Sequence, residues 1–432
     1  MRGPSQSVRL ILSLAVISSG GLVFSFLTQT YILLAIGPGV TTDAFFAGST
    51  LPQVVLAVIS GALANVLVPL LISDDEQVWR RDAWGFFLLI GGVFSILALA
   101  LYFTANVWVG RLFPGFSREG LRLTVELTRI QSVGMLFTAL SGVLLGAYHA
   151  RKQFVLPDSI LLVSSILGLG LTVLVLPRYG IRAAAWISVL RMAVVVLVLL
   201  PGLGRYTRKS LSSGLIRAAW RQLRPLLIGT SYYKIGPVVD RYFSSLASAG
   251  GLSLLNLSQQ IYGAAGQVAT NAIVAPAVPH LAERANEQNW MAYRQIYRKR
   301  LLLIFGITST TFAGFAVLGR FVLGLAAGRG GFTVADADLL FVLLLALGGL
   351  LVVNPVGSIL ATGFYAHGDT KTPALIGIVG FTGSLLLKAL GFRLLGLVGL
   401  ALAGSIHVCL TAIALYVALE RKLTARGVVS GR

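Results

Sequence analysis

Apolar stretches of roughly 20 residues recur from one end of this 432-residue chain to the other. A helix of that length crosses about 30 Å of hydrocarbon. No segment alternates apolar and polar residues as a membrane-spanning strand would. The chain is 56% hydrophobic and 12% charged, which leaves little sequence for a soluble domain. We therefore predict an all-α polytopic membrane protein with about twelve transmembrane helices. The predicted spans are roughly 8–36, 44–72, 83–105, 123–148, 155–177, 181–201, 225–247, 252–280, 300–326, 335–365, 372–395 and 397–419.

Two distant segments share one pattern, in which a Gly-aromatic turn with basic residues ends in a proline that opens another apolar run. They are Gly146–Pro157 (GAYHARKQFVLP) and Gly363–Pro373 (GFYAHGDTKTP). A glycine follows each closing proline at the same distance of 23 positions, at Gly180 and at Gly396. Apolar composition alone does not produce equal spacing at two distant places. A duplicated membrane bundle is the usual architecture of a transporter, which holds its substrate between the copies.

The longest polar interruption, residues 202–224, divides the chain near its middle. We predict an N-terminal six-helix lobe at 1–201, a cytoplasmic basic linker at 202–224, and a C-terminal six-helix lobe with a short cytoplasmic tail at 225–432. Because each copy has an even number of spans, both cross the bilayer in the same direction. The lobes should therefore be related by a pseudo-two-fold axis along the membrane normal.

The net charge of +20 is explained by where the basic residues lie. They concentrate in every second predicted loop, which is the positive-inside pattern of a multi-pass protein. This pattern predicts a bacterial inner-membrane protein with both termini in the cytoplasm. The basic loops also favour contact with anionic membrane lipids. No basic–aromatic module for RNA or DNA is visible, so we expect no nucleic-acid partner.

The sequence carries none of the enzyme signatures that would place chemistry in the chain. HExxH, a zinc-type Cys/His cluster and a G-x-S-x-G elbow are all absent. Residues 363–372 resemble a phosphate-binding loop only superficially, because two extra residues separate Gly368 from Lys371. We therefore predict no enzymatic activity, no metal site and no cofactor. Uphill transport would draw on a coupling cation or on the membrane potential.

Charged side chains inside spans cost several kcal/mol and usually face a cavity or a partner. The candidates among charged residues in or at the ends of the predicted spans are Asp43, Glu126, Arg129, Asp158, Arg191, Lys234, Asp240 and Arg241. Lys234 and Arg241 are seven positions apart, about two helical turns, so both can face one side. Two cations on one cavity wall suit an anionic head group such as a diphosphate. Alternatively, Asp240 pairs with one of them and only locks helices together.

Neutral polar side chains interrupt the first, second and eighth spans, at matching places in the two predicted lobes. The candidate cavity residues are Gln29, Gln53, Asn65, Gln259, Gln260 and Asn271. Such groups in lipid need partners, and hydrogen bonding between helices would satisfy them. Their concentration in corresponding spans favours a polar central cleft that contacts substrate.

The segment Thr42-Asp43-Ala-Phe-Phe-Ala, followed by Leu51-Pro52-Gln53 and later by Val68-Pro69, resembles the MviN (MurJ) lipid II flippase family. Val239-Asp240-Arg241 in the second half fits the same pattern. That family belongs to the multidrug, oligosaccharidyl-lipid and polysaccharide exporter superfamily. The resemblance implies two six-helix lobes in a V that rock to pass a lipid-linked sugar across the membrane. Within this architecture we predict that Asp43 or Asp240 senses a coupling ion or locks one state.

This chain departs from the family pattern at the arginines that family members usually carry in the cavity. Thr28 and Gln29 occupy the middle of the first span, and Gln260 occupies the eighth. The resemblance therefore implies a divergent flippase for a polyprenyl-diphosphate-linked saccharide, either lipid II or a related cell-wall or polysaccharide precursor. Lys234 and Arg241 would contact the phosphates, and glycan-assembly enzymes are candidate partners. The alternatives are a multidrug/cation antiporter, which predicts an acidic cavity, and a non-transporting scaffold of a wall or polysaccharide assembly complex.

Overall fold

The computed structural model describes residues 4–206 and 213–425, without the side chains of 4–16, 18, 60–65, 213, 225–231, 233, 271 and 275. Within these ranges the chain is helical almost throughout and contains no strand beyond one isolated bridge between Arg329 and Phe332. The predicted all-α class is confirmed.

The helices group into two compact units, Met1–Gly250 and Gly251–Arg432. The first contains α1 (Pro4–Ile36), α2 (Val40–Gly48), α3 (Thr50–Leu71), α4 (Glu76–Leu112), α5 (Arg118–Ala150), α6 (Val155–Leu199), α7 (Ser213–Lys234) and α8 (Gly236–Ser245). The second contains α9 (Gly251–Ala269), α10 (Ala275–Asn286), α11 (Trp290–Ala326), α12 (Val334–Ala346), α13 (Gly348–Ala366) and α14 (Lys371–Ala425). A short 3₁₀ turn at Leu200–Leu203 follows α6, and a π-helical turn at Thr270–Val274 joins α9 to α10.

Each unit has its own apolar core. In the first unit it includes Trp79, Phe86 and Phe94 of α4, and in the second Tyr293 and Tyr297 of α11. Helices α7 and α8 pack on α3 and so belong to the first unit by contact. The predicted lobe boundary at 202–224 rests on the longest polar interruption of the sequence, whereas the compact units divide after Gly250, and the lobe boundary stays a prediction. Residues 207–212 of that linker lie outside the described part, and helix α7 begins within it at Ser213.

Eight helices of the described chain are long and apolar enough to cross a membrane. Their outward faces carry large apolar side chains, such as Phe103 at 71% exposure and Leu394 at 77%. Water disfavours such surfaces, whereas hydrocarbon accommodates them. The architecture is that of a multi-pass membrane protein.

Two of these helices, α6 and α14, are hairpins of two spans each. In α6, Arg191 Cδ lies 3.0 Å from the position that a Cβ of Gly168 would take. A straight helix would separate the two residues by roughly 35 Å. The chain reverses at Gly180 (φ 67°, ψ −162°) in α6 and at Gly396 (φ 57°, ψ −136°) in α14. These are the two glycines of the sequence repeat. Counting the hairpins as two spans each approaches the predicted twelve, and the full count stays a prediction.

Candidate functional site

The second predicted span has a one-residue break in its regular helix at Ser49, between α2 and α3. Ser49 itself keeps helical angles (φ −77°, ψ −11°), and its nitrogen still donates to the Phe45 carbonyl at 3.3 Å. Backbone groups at a break in hydrocarbon need partners, since lipid offers none. Here side chains add to the backbone bonds that remain. The Phe45 carbonyl accepts from Gln131 Nε2 of α5 at 3.0 Å, and the Phe46 carbonyl accepts from Ser49 Oγ at 2.8 Å. Gly48 lets α5 approach, because a Cβ there would lie 3.1 Å from the Thr128 nitrogen.

Arg241 of α8 donates further hydrogen bonds to backbone and side-chain oxygens at this break. Its Nη1 donates to the Phe46 carbonyl at 2.9 Å and to Thr50 Oγ1 at 2.8 Å, and its Nη2 donates to Gln53 Oε1 at 3.3 Å. The residue is only 9% exposed. A buried guanidinium is tolerated when its donors are satisfied, and bonds from a charged donor are stronger than neutral ones. Arg241 therefore fixes the shape of the α2–α3 break.

Asp43 connects the start of α2 with the chain that follows α8. Its side chain is buried, and Oδ2 accepts from the Gly250 backbone nitrogen at 2.7 Å. Gly250 has φ 92°, and a Cβ there would come within 2.9 Å of Pro38. Nearby, a Cβ on Gly115 would lie 2.1 Å from the Ser245 carbonyl oxygen. Residues 241–250 are thus docked on the broken helix and its neighbours at several points.

A cavity of about 180 Å³ opens inside the first unit, beside the break. Helices α1, α2, α3 and α5 and both arms of α6 contribute its walls. Its polar and charged lining residues are Ser25, Thr28, Gln29, Ser49, Gln53, Gln131, Thr172, Ser188 and Arg191. Arg191 is the one charged residue of this lining, and no carboxylate is part of it. The cavity is therefore neutral to cationic.

Arg191 of the second arm of α6 reaches across to the first arm and to α1. Its Nη1 donates to Ser165 Oγ at 2.9 Å and to Ser25 Oγ at 3.2 Å. The stem of the side chain lies against Gly168. In the part of the chain that the structure describes, Arg191 forms no ion pair. Its partners are neutral hydroxyls, unlike those of Arg182, which pairs with Glu126 at 2.7 Å on the exposed surface.

The predicted site residues are distributed as follows. Gln29 and Gln53 line the cavity. Lys234 is exposed at the end of α7, and Asp240 is partly buried on α8. Gln259 and Gln260 are partly buried on α9 of the second unit. The side chains of Asn65 and Asn271 lie outside the described residues. Whether these residues contact substrate stays a prediction.

Lys234 and Arg241 lie in different surroundings, since Lys234 is exposed and Arg241 is buried. Helix α7 ends at Lys234 and α8 begins at Gly236, with Pro237 in its first turn. Proline fits the first turn of a helix but disrupts a helix interior. Ile235, between the two helices, keeps helical angles (φ −76°, ψ −16°), so a face shared by Lys234 and Arg241 stays a prediction.

The sequence identifies Arg191 as an intramembrane charge but assigns it no role. The signal that could have found it is the glycine repeat. Folding the chain back at Gly180 pairs residue 168 with residue 191, and a glycine opposite an arginine makes room for its stem. The hairpin position was therefore needed before the cavity cation could be recognised.

Comparison with known proteins agrees with this architecture. A family model described as "Lipid II flippase MurJ" matches residues 32–429. The lipid II flippase MurJ of Burkholderia cenocepacia is 23% identical over 415 residues, covering 91% of this chain and 80% of that protein. A probable lipid II flippase MurJ of Synechocystis is 24% identical, covering 88% of this chain and 75% of that protein.

Solved structures show the same fold. A lipid II flippase MurJ in an inward closed conformation superposes with a TM-score of 0.81 at 17% identity, covering 95% of this chain and 87% of that one. An inward-facing multidrug resistance MATE family transporter of the MOP superfamily superposes with a TM-score of 0.70 at 16% identity, covering 97% and 96%.

Proposed function

Because this chain belongs to the lipid II flippase MurJ family, we propose that it moves a polyprenyl-diphosphate-linked saccharide across a bacterial inner membrane. Lipid II or a related cell-wall or polysaccharide precursor is the substrate. The observation that supports this most directly is the cavity beside the α2–α3 break, which is lined by amides and hydroxyls and by one cation. Amides and hydroxyls match sugar hydroxyls, and a guanidinium matches a phosphate.

Transport proceeds by alternating access, with both termini in the cytoplasm and with a coupling cation or the membrane potential as the driving force. The bonds from Asp43 and Arg241 support a gating role for these residues. Both connect residues 241–250 with residues 37–53, at the point where α2 is broken. Separation of residues 241–250 from residues 37–53 would require Asp43 to release the Gly250 nitrogen and Arg241 to release the Phe46 carbonyl.

The gate is tested by removing one bond at a time. Asp43→Ala leaves the buried Gly250 nitrogen without this acceptor, a penalty of about 1–3 kcal/mol on the docked state. Asp43→Asn is the matched control, because an amide oxygen can still accept. With Cys409 replaced by serine, alkylation of a cysteine placed at Ser245, which is 2% exposed in the docked segment, reports opening. Faster alkylation in Asp43→Ala than in Asp43→Asn is expected, and equal rates in both and in the unmodified chain would exclude the gate.

The substrate is tested by depletion in the native cell and analysis of the lipid-linked saccharides on the cytoplasmic leaflet. Accumulation of lipid II with lysis identifies a lipid II flippase. Accumulation of another polyprenyl-linked glycan identifies a related precursor as the substrate. If neither accumulates, the flippase proposal fails, and export of a cationic drug or a scaffolding role in an assembly complex becomes the better account.

A further inference from the structure

We propose that Arg191, Ser25 and Ser165 form the anion-binding site of this protein, and that the anion is the phosphate or diphosphate of its lipid-linked substrate. The identity of the substrate rests on the function proposed above, whereas the anion site rests on geometry alone. The site lies within the first unit, between α1 and the two arms of α6.

The first argument is the electrostatic isolation of Arg191. A charge within a membrane span is expensive and is normally compensated by an acid or by a ligand. Among the described residues Arg191 has only the hydroxyls of Ser25 and Ser165 as partners. Hydroxyl dipoles orient a guanidinium but do not neutralise it. The positive charge is therefore left for a bound anion to neutralise.

The second argument is the number of donors that remain. A guanidinium has five N–H groups in a planar fork. The protein bonds of Arg191 all involve Nη1. Its Nε and Nη2 donate to no described protein group, and the residue lines the cavity. Those two nitrogens form the edge that binds oxyanions in a bidentate manner.

The third argument is the fit of the cavity. The cavity volume of about 180 Å³ is many times the roughly 10–15 Å³ that one water molecule needs on the same measure. That volume suits a phosphate or diphosphate, and a complete saccharide would extend beyond it. The amide side chains of Gln29 and Gln53 line the same cavity and offer further polar contacts.

The site is also built at the level of the backbone. Arg191 can lie across the first arm of α6 only because residue 168 has no side chain, since a Cβ there would meet Arg191 Cδ at 3.0 Å. Two residues further along the same arm, a Cβ on Gly170 would meet nothing within 4 Å. These two glycines provide a matched pair for an experiment that leaves every charge in place.

The experiment measures binding of inorganic diphosphate to the full chain in lipid nanodiscs, by titration at fixed low ionic strength. We expect the unmodified chain, Gly170→Ala and Arg182→Gln to bind alike. Arg191→Gln should bind at least tenfold more weakly, which corresponds to about 1.4 kcal/mol. Arg191→Lys should be intermediate, because it keeps the charge but loses the fork. Gly168→Ala should weaken binding several-fold by displacing the arginine.

Binding by Arg191→Gln and Gly168→Ala that equals binding by their controls would overturn the proposal, as would absence of binding by the unmodified chain. If Arg191→Gln fails to fold, the comparison of Gly168→Ala with Gly170→Ala decides. Binding of diphosphate that depends on Arg191, in a protein whose depletion leaves all lipid-linked saccharides unchanged, would support the anion site while refuting the proposed function.

Discussion

The two hairpin glycines allow a quantitative test of the fold. Gly180 and Gly396 have positive φ with ψ of −162° and −136°, a region that residues with a Cβ rarely adopt. A Cβ at either position would meet no atom within 4 Å. The cost of alanine there is therefore backbone strain without a clash, about 1–3 kcal/mol at each site. Because the two glycines are in different units, the double variant should lose roughly the sum.

The assay is the unfolding midpoint of the purified chain in detergent, for Gly180→Ala, Gly396→Ala and the double variant. Gly170→Ala and Gly383→Ala are the controls, since they lie in helical arms of the same hairpins and a Cβ there would meet nothing within 4 Å. Alanine is the better helix former, so the controls should match or exceed the unmodified chain. If Gly180→Ala and Gly396→Ala unfold at the same midpoint as their controls, the positive φ at these glycines does not make alanine costly, and the prediction is refuted.

Three further predictions concern single contacts. Glu420→Gln should destabilise the second unit by about 3 kcal/mol in denaturant unfolding, because buried Arg294 loses its carboxylate at 2.5 Å. Arg320→Gln breaks an exposed pair and should change the same midpoint by less than about 1 kcal/mol. Burial opposes ionisation of Asp369, but hydrogen bonds from Lys422 and Thr372 outweigh burial and lower the pKa of this carboxyl. Asp369→Asn should therefore lower the free energy of unfolding at pH 7, and the difference from the unmodified chain should disappear progressively as the pH falls below 3.8.

The fold class and the hairpins could be predicted from the sequence because both depend on local or repeated signals. Hydropathy identifies apolar helices, and the repeated Pro-to-Gly spacing marks Gly180 and Gly396 in advance. The break at Ser49 could not be predicted in the same way. The Phe45 and Phe46 carbonyls there accept additional bonds from Gln131 and Arg241, which are distant in sequence, so no local pattern reveals these contacts.

Only part of the candidate site could be predicted, because some of its features are local in sequence and others depend on contacts between distant residues. Gln29 and Gln53 were recognisable as polar side chains in apolar spans, and both line the cavity. Arg191 shares that property with several other charges. What distinguishes it is that its partners are hydroxyls rather than acids, and this depends on which helices meet. The spacing of Lys234 and Arg241 could not reveal that the first is exposed and the second buried, because burial depends on which helices meet.

The bond between Arg241 and the Phe46 carbonyl makes that carbonyl a reporter of gate opening. The two residues are 195 positions apart, so the bond exists only while α8 stays docked on the broken helix. A carbonyl that accepts from a cation is strongly polarised. An isotope label on the Phe46 carbonyl would isolate its infrared absorption from that of the other amides. Release of the guanidinium would move this band to higher frequency, so one vibrational line would time each opening event.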